Sequence, residues 1–166
     1  MRRRAGNERG QSLVEFALII PIVLLLMLGL FDIGRVVFTN NSLSDGARHG
    51  ARHAATDPEA VDYCSRVDAA VRSATLGQPL TTFVVTYVTV DPSGTETGDY
   101  VLCEDGANGP DFGGLPITAQ PGDRVTVELE SDMTLATPLV AIATRQETFN
   151  LQAQSTMQVT FVPAEP

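Results

Sequence analysis

The sequence contains no lysine and no tryptophan, so arginine supplies every side-chain positive charge at neutral pH. Positive charge is scarce in any case: 11 arginines face 20 acids, for a net charge of -9. A surface of that sign repels phosphate, which argues against nucleic acid as a partner. The usual signatures of catalysis are missing too. There is no G-x-S-x-G elbow, no H-E-x-x-H pair and no glycine-rich phosphate loop. A hydrolytic site would have to be assembled from His49 and His53, the only two histidines. The expectation is a protein that is not an enzyme and holds no cofactor. Charge is also absent, locally, from residues 16–31.

That uncharged run divides the chain. Residues 1–12 carry Arg2, Arg3, Arg4 and Arg9 against Glu8 alone, while acids dominate after Val36. Residues 13–38 read LVEFALIIPIVLLLMLGLFDIGRVVF. As a helix they extend about 39 Å, enough to cross a hydrocarbon core of about 30 Å. The uncharged part alone covers about 24 Å, which puts Glu15 and Asp32 near the two interfaces. A helix buried in a protein core would show polar positions at a period of 3.6, and this run has none. It reads as a transmembrane helix. The arginines ahead of it hold the N-terminus in the cytoplasm and send the rest outside the inner membrane. The run is long for a secretory signal, and FDIGRVVFTNN offers no small-x-small cleavage site. Ser12 and Glu15 fit the S-x-x-E capping box, and Pro21 removes a backbone hydrogen bond inside the helix. Asp32 and Arg35, three apart, form a candidate pair at the outer interface.

The residues Arg9-Gly10-Gln11-Ser12-Leu13-Val14-Glu15-Phe16-Ala17-Leu18, then Pro21, a leucine-rich run and Phe31-Asp32-Ile33-Gly34-Arg35 resemble the TadE-like family. Its members are minor pilin-like proteins of the tight adherence (Tad, Flp) branch of type IV pilus systems. The resemblance covers about the first 35 residues, and nothing beyond residue 55 adds comparable weight. It implies a pseudopilin subunit or assembly factor with other pilins and pseudopilins, a prepilin peptidase, the inner-membrane assembly platform and membrane lipid as partners. It also implies peptidase cleavage after Gly10, which would make Glu15 the fifth residue of the mature chain. The carboxylate could then pair with the new amine of a neighbouring subunit, an attraction strengthened in low dielectric. Gln11 departs from the phenylalanine or methionine common after such a cut. The alternative for Ser12 and Glu15 is a helix cap alone.

The body follows as a helical stalk over 39–56 and an extracytoplasmic α+β domain over 57–166. In the stalk Ala47, Gly50, Ala51 and Ala54 form a small-residue stripe that permits close helix approach. Asn40, Asn41 and Gly46 weaken the helix there and predict a bend. Asp57-Pro58 predicts the start of a second helix reaching Leu76, with Val61, Cys64, Val67, Val71 and Ala74 on one face and Gly77 as its stop. From Thr81 the pattern alternates with β-branched residues in TTFVVTYVTV, DYVLC, RVTVELESDM and ETFNLQAQSTMQVTFV. Asp91-Pro92-Ser93-Gly94 reads as a turn, residues 104–122 as a long loop, and residues 135–143, with Pro138, as a short helix. The fold class expected is an amphipathic helix packed on an antiparallel sheet of about four strands.

Cys64 and Cys103 both follow the apolar run. In an oxidising compartment they form a candidate disulfide, and two buried free thiols are the alternative. Their spacing does not resemble a metal site. His49 and His53 are four apart, yet only Asp45 or Asp57 lies near as a further ligand, so no metal is expected. The oxygen-rich loop 104–111 lacks EF-hand spacing and reads as solvated. Two functions of different class remain: the pilus component, and a membrane-tethered module that binds an external ligand. The first is favoured because the distinguishing residues sit in the anchor.

Overall fold

The computed structural model describes residues 8–56, 62–111, 120–135, 145 and 148–160. They comprise two helices and five strands: α1 (Glu8–Ala54), α2 (Tyr63–Ala74), β1 (Thr82–Val90), β2 (Glu96–Glu104), β3 (Ala107–Asn108), β4 (Arg124–Thr134) and β5 (Thr148–Gln158). Two compact units result, Met1–Val36 with Thr134–Phe149, and Val37–Met133 with Asn150–Pro166.

In the first unit, the large apolar side chains of α1 from Leu13 to Phe31 stand exposed, apart from the half-buried Ile20. Pro21 lies inside the helix, which is assigned without interruption across it. The helix is also unbroken through Asn40, Asn41 and Gly46.

The second unit is built on one sheet of order β3-β2-β1-β4-β5. β1 is its centre, antiparallel to β2 on one side and to β4 on the other. Alternation explains both central strands. Phe83, Val85 and Tyr87 of β1 and Val125, Val127 and Leu129 of β4 are buried, while Thr126, Glu128, Glu130 and Asp132 turn to the opposite face. On that outer face Asn150, Gln152 and Gln154 of β5 donate to Asp132, Glu130 and Glu128 of β4 at 3.0, 2.6 and 2.9 Å. The residue numbers rise on one strand as they fall on the other, so β4 and β5 are antiparallel. The expected sheet of about four strands thus has five, the extra one being the two-residue β3.

Two elements cover the buried face. Tyr63, Cys64, Val67 and Val71 of α2 face inward. The end of α1 contributes Leu43, Ala47, Ala51 and Ala54, all fully buried in the same core. Its glycines set the spacing. A Cβ on Gly50 would come within 2.6 Å of Val71 Cγ2 and 3.2 Å of Val127 Cγ1, and one on Gly46 would collide with the Thr75 methyl group. The small-residue stripe therefore seats α1 against α2 and β4 of its own chain. Tyr63 locks the junction, its buried hydroxyl donating to the Ala54 carbonyl at 3.2 Å. Burial raises its pKa, so the phenol keeps that proton.

Three boundaries differ from expectation. α2 begins at Tyr63, with Asp62 ahead of it non-helical and making no side-chain cap; Asp57 and Pro58, where the start was expected, lie outside the described residues, as does Val61. The helix ends at Ala74, and Leu76 as well as Gly77 takes positive φ, +54° and +76°. The segment read as a loop from Glu104 turns straight back: Asp105 and Gly106, at φ +49° and +80°, make a two-residue hairpin into β3. The short helix expected over 135–143 falls almost wholly outside the described residues.

Candidate membrane anchor and assembly site

α1 contains a stretch long and apolar enough to cross a membrane, with a mean hydropathy of 2.8 over its best 18-residue window and none of that window buried. At its start stand the residues singled out for processing and docking. Gly10 is exposed, and a Cβ there would meet nothing within 4 Å. The neighbouring Gln11 amide donates to Glu15 Oε1 at 3.2 Å, one helical turn away. Ser12 and Glu15 lie within the helix, which is already formed at Glu8, so they do not make the expected capping box at its start. The reason is local: nothing in Glu8-Arg9-Gly10-Gln11 stops a helix strongly enough to force its start onto Ser12.

At the other end of the apolar run, Arg35 approaches Asp32 to 3.9 Å, the pairing expected from their spacing. Asp32 is 3% exposed, whereas its neighbours Phe31 and Ile33 are more than 60% exposed. Only one side of the helix is therefore covered at this level.

Cys64 and Cys103 form a disulfide, with Cα atoms 5.5 Å apart, tying α2 to β2. A β-bulge positions it. Val85 pairs with Cys103 but Thr86 with Val101, so Leu102 is the extra residue and both Leu102 and Cys103 reach the core.

The acidic loop 104–111 uses its carboxylates on the backbone. Asp105 accepts from the Phe83 amide at 3.2 Å, and Asp111 accepts from the Val101 amide at 2.9 Å. It is thus a folded hairpin and not the freely solvated loop the sequence suggested. His49 and His53 are both exposed on α1, and among the described residues no three His, Cys, Asp or Glu side chains converge as a metal site. His49 instead shares a groove of about 250 Å³ with Asp45, Arg48, Arg52 and Met157.

Sequence reasoning missed Asp123. It is 3% exposed and ties β1 to the turn before β4, accepting from Tyr87 Oη at 2.6 Å and from the Val90 and Gln120 amides at 2.9 Å each. Burial and this carboxylate raise the pKa of Tyr87, so the phenol remains the donor. Gln120-Pro121-Gly122-Asp123 signals a turn, but no local pattern announces bonds to a strand more than thirty residues earlier.

No curated protein and no solved structure matches the chain. The family model described as TadE-like protein does match, over residues 10–52, a span that opens on Gly10, takes in the whole apolar run and ends inside the buried half of α1.

Proposed function

We propose that the chain is a minor pilin-like subunit or membrane-anchored assembly factor of a Tad-type IV pilus, working through helix–helix and domain contacts. The observation that carries the reading is the coincidence of the TadE-like match with one helix that is apolar and exposed in its first half and core-forming in its second. Residues 13–38 lie in the inner membrane with the arginines of the leader in the cytoplasm and the α+β body outside. The disulfide in that body suits an oxidising compartment.

Glu15 is the docking residue in this reading. In the uncut chain its carboxylate takes a neutral amide donor from Gln11. Cleavage after Gly10 turns the same residue into a terminal ammonium, a stronger donor that an adjoining subunit presents across the helix interface. The membrane edge enhances that pairing and penalises an unpaired carboxylate. Prepilin peptidase, other pilins and the inner-membrane platform are the proposed partners.

Intact-mass analysis and co-purification test the scheme on wild type, Gly10→Ala and Glu15→Gln in a strain with an active peptidase. The expected result is a mature chain starting at Gln11, a block in maturation for Gly10→Ala, and normal cleavage with loss of the pilin partner for Glu15→Gln. A wild-type chain that still carries its leader removes the processing step. Protease added to spheroplasts separately tests orientation, and survival of the body would reverse it.

A further inference from the structure

Arg48 and Arg52 differ from four other arginines in the structure. Arg35, Arg66, Arg72 and Arg124 each sit beside a carboxylate. Arg48 and Arg52 have no ion pair among the described residues, although the chain carries a net charge of -9. With Asp45 and His49 they occupy positions i, i+3, i+4 and i+7, one stripe of α1 flanking the buried small-residue stripe. Those four and Met157 of β5 line the groove of about 250 Å³. Two guanidinium groups against the single carboxylate of Asp45 leave it positive.

Among the described residues no further strand pairs with the strand beside this groove. β5 is a sheet edge 11 residues long, and its sequence TFNLQAQSTMQ contains no charge and no proline. Such an edge offers free backbone donors and acceptors to another strand unless something blunts it. The opposite edge is blunted: β3 is two residues long and is followed by Gly109-Pro110. The helix-facing residues of β5 are also incompletely covered, with Leu151, Ala153, Ser155 and Met157 only half-buried.

We propose that the groove and the edge of β5 together receive an extended acidic segment of a partner protein. The segment adds to the sheet beside β5 through main-chain hydrogen bonds, and one of its carboxylates settles between Arg48 and Arg52. Strand addition supplies the affinity and the basic groove the sequence preference. Phospholipid headgroups fit less well, a step that rests on the membrane reading of residues 13–38. Arg48 follows Phe38 by about 15 Å of helix, whereas the polar layer of a bilayer is about 5–8 Å deep on each side.

The test uses the full-length chain in phosphatidylcholine nanodiscs and fluorescent decapeptides of alternating glutamate and valine, read by anisotropy. Three comparisons accompany it: the same peptide with glutamine for glutamate, the acidic peptide N-methylated at alternate amides, and the double variant Arg48→Gln/Arg52→Gln. The expected result is saturable binding of the acidic peptide that weakens with salt. Affinity should fall about tenfold for the glutamine peptide and for the double variant, as loss of two exposed charge pairs predicts. N-methylation should abolish it. Circular dichroism and an intact disulfide establish that the variant is folded; if it is not, the glutamine peptide alone decides the charge requirement. Absence of binding, or equal binding of acidic and glutamine peptides, overturns the proposal. Equal binding of the N-methylated peptide removes strand addition and overturns it as well. Displacement of the acidic peptide by monomeric short-chain phosphatidylglycerol would identify a headgroup site and have the same consequence.

Discussion

The two halves of α1 obey different solvents. Between Leu13 and Phe31 the side chains are large, apolar and exposed; between Leu43 and Ala54 the inward positions are small and fully buried. Glycine makes the contrast sharp. A Cβ on Gly29 or Gly34 would meet nothing within 4 Å, whereas one on Gly46 or Gly50 strikes the β-branched side chains of Thr75, just past α2, or of Val71 in α2 and Val127 in β4. Around these two glycines the first half leaves open space, although Asp32 between them is covered. The second half is the floor of a folded domain. One helix thus meets two packing demands, open apolar surface at one end and close contact at the other.

The disulfide offers the most forceful way to break that contrast, because it acts on the body alone. Closing a loop with a sequence separation of 39 should stabilise the body by about 4 kcal/mol on the chain-entropy account. Cys64→Ala/Cys103→Ala should lower the unfolding midpoint of the body in denaturant by a corresponding amount while membrane association of the chain persists. An unchanged midpoint would show that the α2–β2 junction does not limit stability.

Glycine replacements come next and address the two halves directly. Gly50→Leu should destabilise the body by roughly 3 kcal/mol through overpacking against Val71 and Val127, in excess of any gain in helix propensity. Gly29→Leu should leave the body's denaturation curve unmoved. Equal effects at both positions would dissolve the distinction drawn between the halves. A milder perturbation is acid. Asp91 Oδ1 accepts from the Ser93 hydroxyl at 2.6 Å and from the Thr95 amide at 2.8 Å, and these bonds, the Ser93 one first, lower its pKa from 3.8. A lowered carboxylate pKa means stabilisation present above about 3.8 and lost as pH falls through the lowered value. Protection of the Thr95 amide, its exchange rate relative to an unstructured amide at the same pH, should therefore hold at pH 5 and fall only on strong acidification. Asp91→Asn should lower that protection at pH 5.

Much of this architecture was legible because it is written at short range. The unbroken apolar run of α1, the period-two alternation of β1 and β4, and the Asp91-Pro92-Ser93-Gly94 turn each follow from neighbouring residues. Asp105-Gly106 was equally local and was obscured by the glycines and prolines that follow it, although the dipeptide is a strong two-residue hairpin signal. The stripe at Gly50, Ala51 and Ala54 showed that something would pack closely; only the folded chain shows that α2 and β4 do so. Asp123 and the bulge at Leu102 were illegible because both are fixed by partners distant in sequence. The candidate site divides the same way: Gly10, Glu15, Asp32 and Arg35 were readable as a motif, whereas the Arg48–Arg52 groove exists only once β5 lies beside α1.

The smallest expected effect concerns the end of α2, where the left-handed turn begins one residue before Gly77. Leu76 ahead of that glycine already adopts φ +54°. A left-handed conformation places Cβ against the following carbonyl and costs a non-glycine residue about 1 kcal/mol or more. Leu76 recovers little of that by packing, since it is 70% exposed. Leu76→Gly removes the clash but also increases the freedom of the unfolded chain, so the two terms partly cancel. The expected gain is about 0.5 kcal/mol, visible as a small rise in denaturation midpoint. Leu76→Val supplies the decisive control, because a β-branched side chain is worse in this conformation and should lower the midpoint. Opposite signs for glycine and valine would locate the cost in the backbone of Leu76. A fall for both would mean that the leucine side chain, 70% exposed as it is, matters more than its φ, and that the body's margin of stability includes even so open an apolar residue.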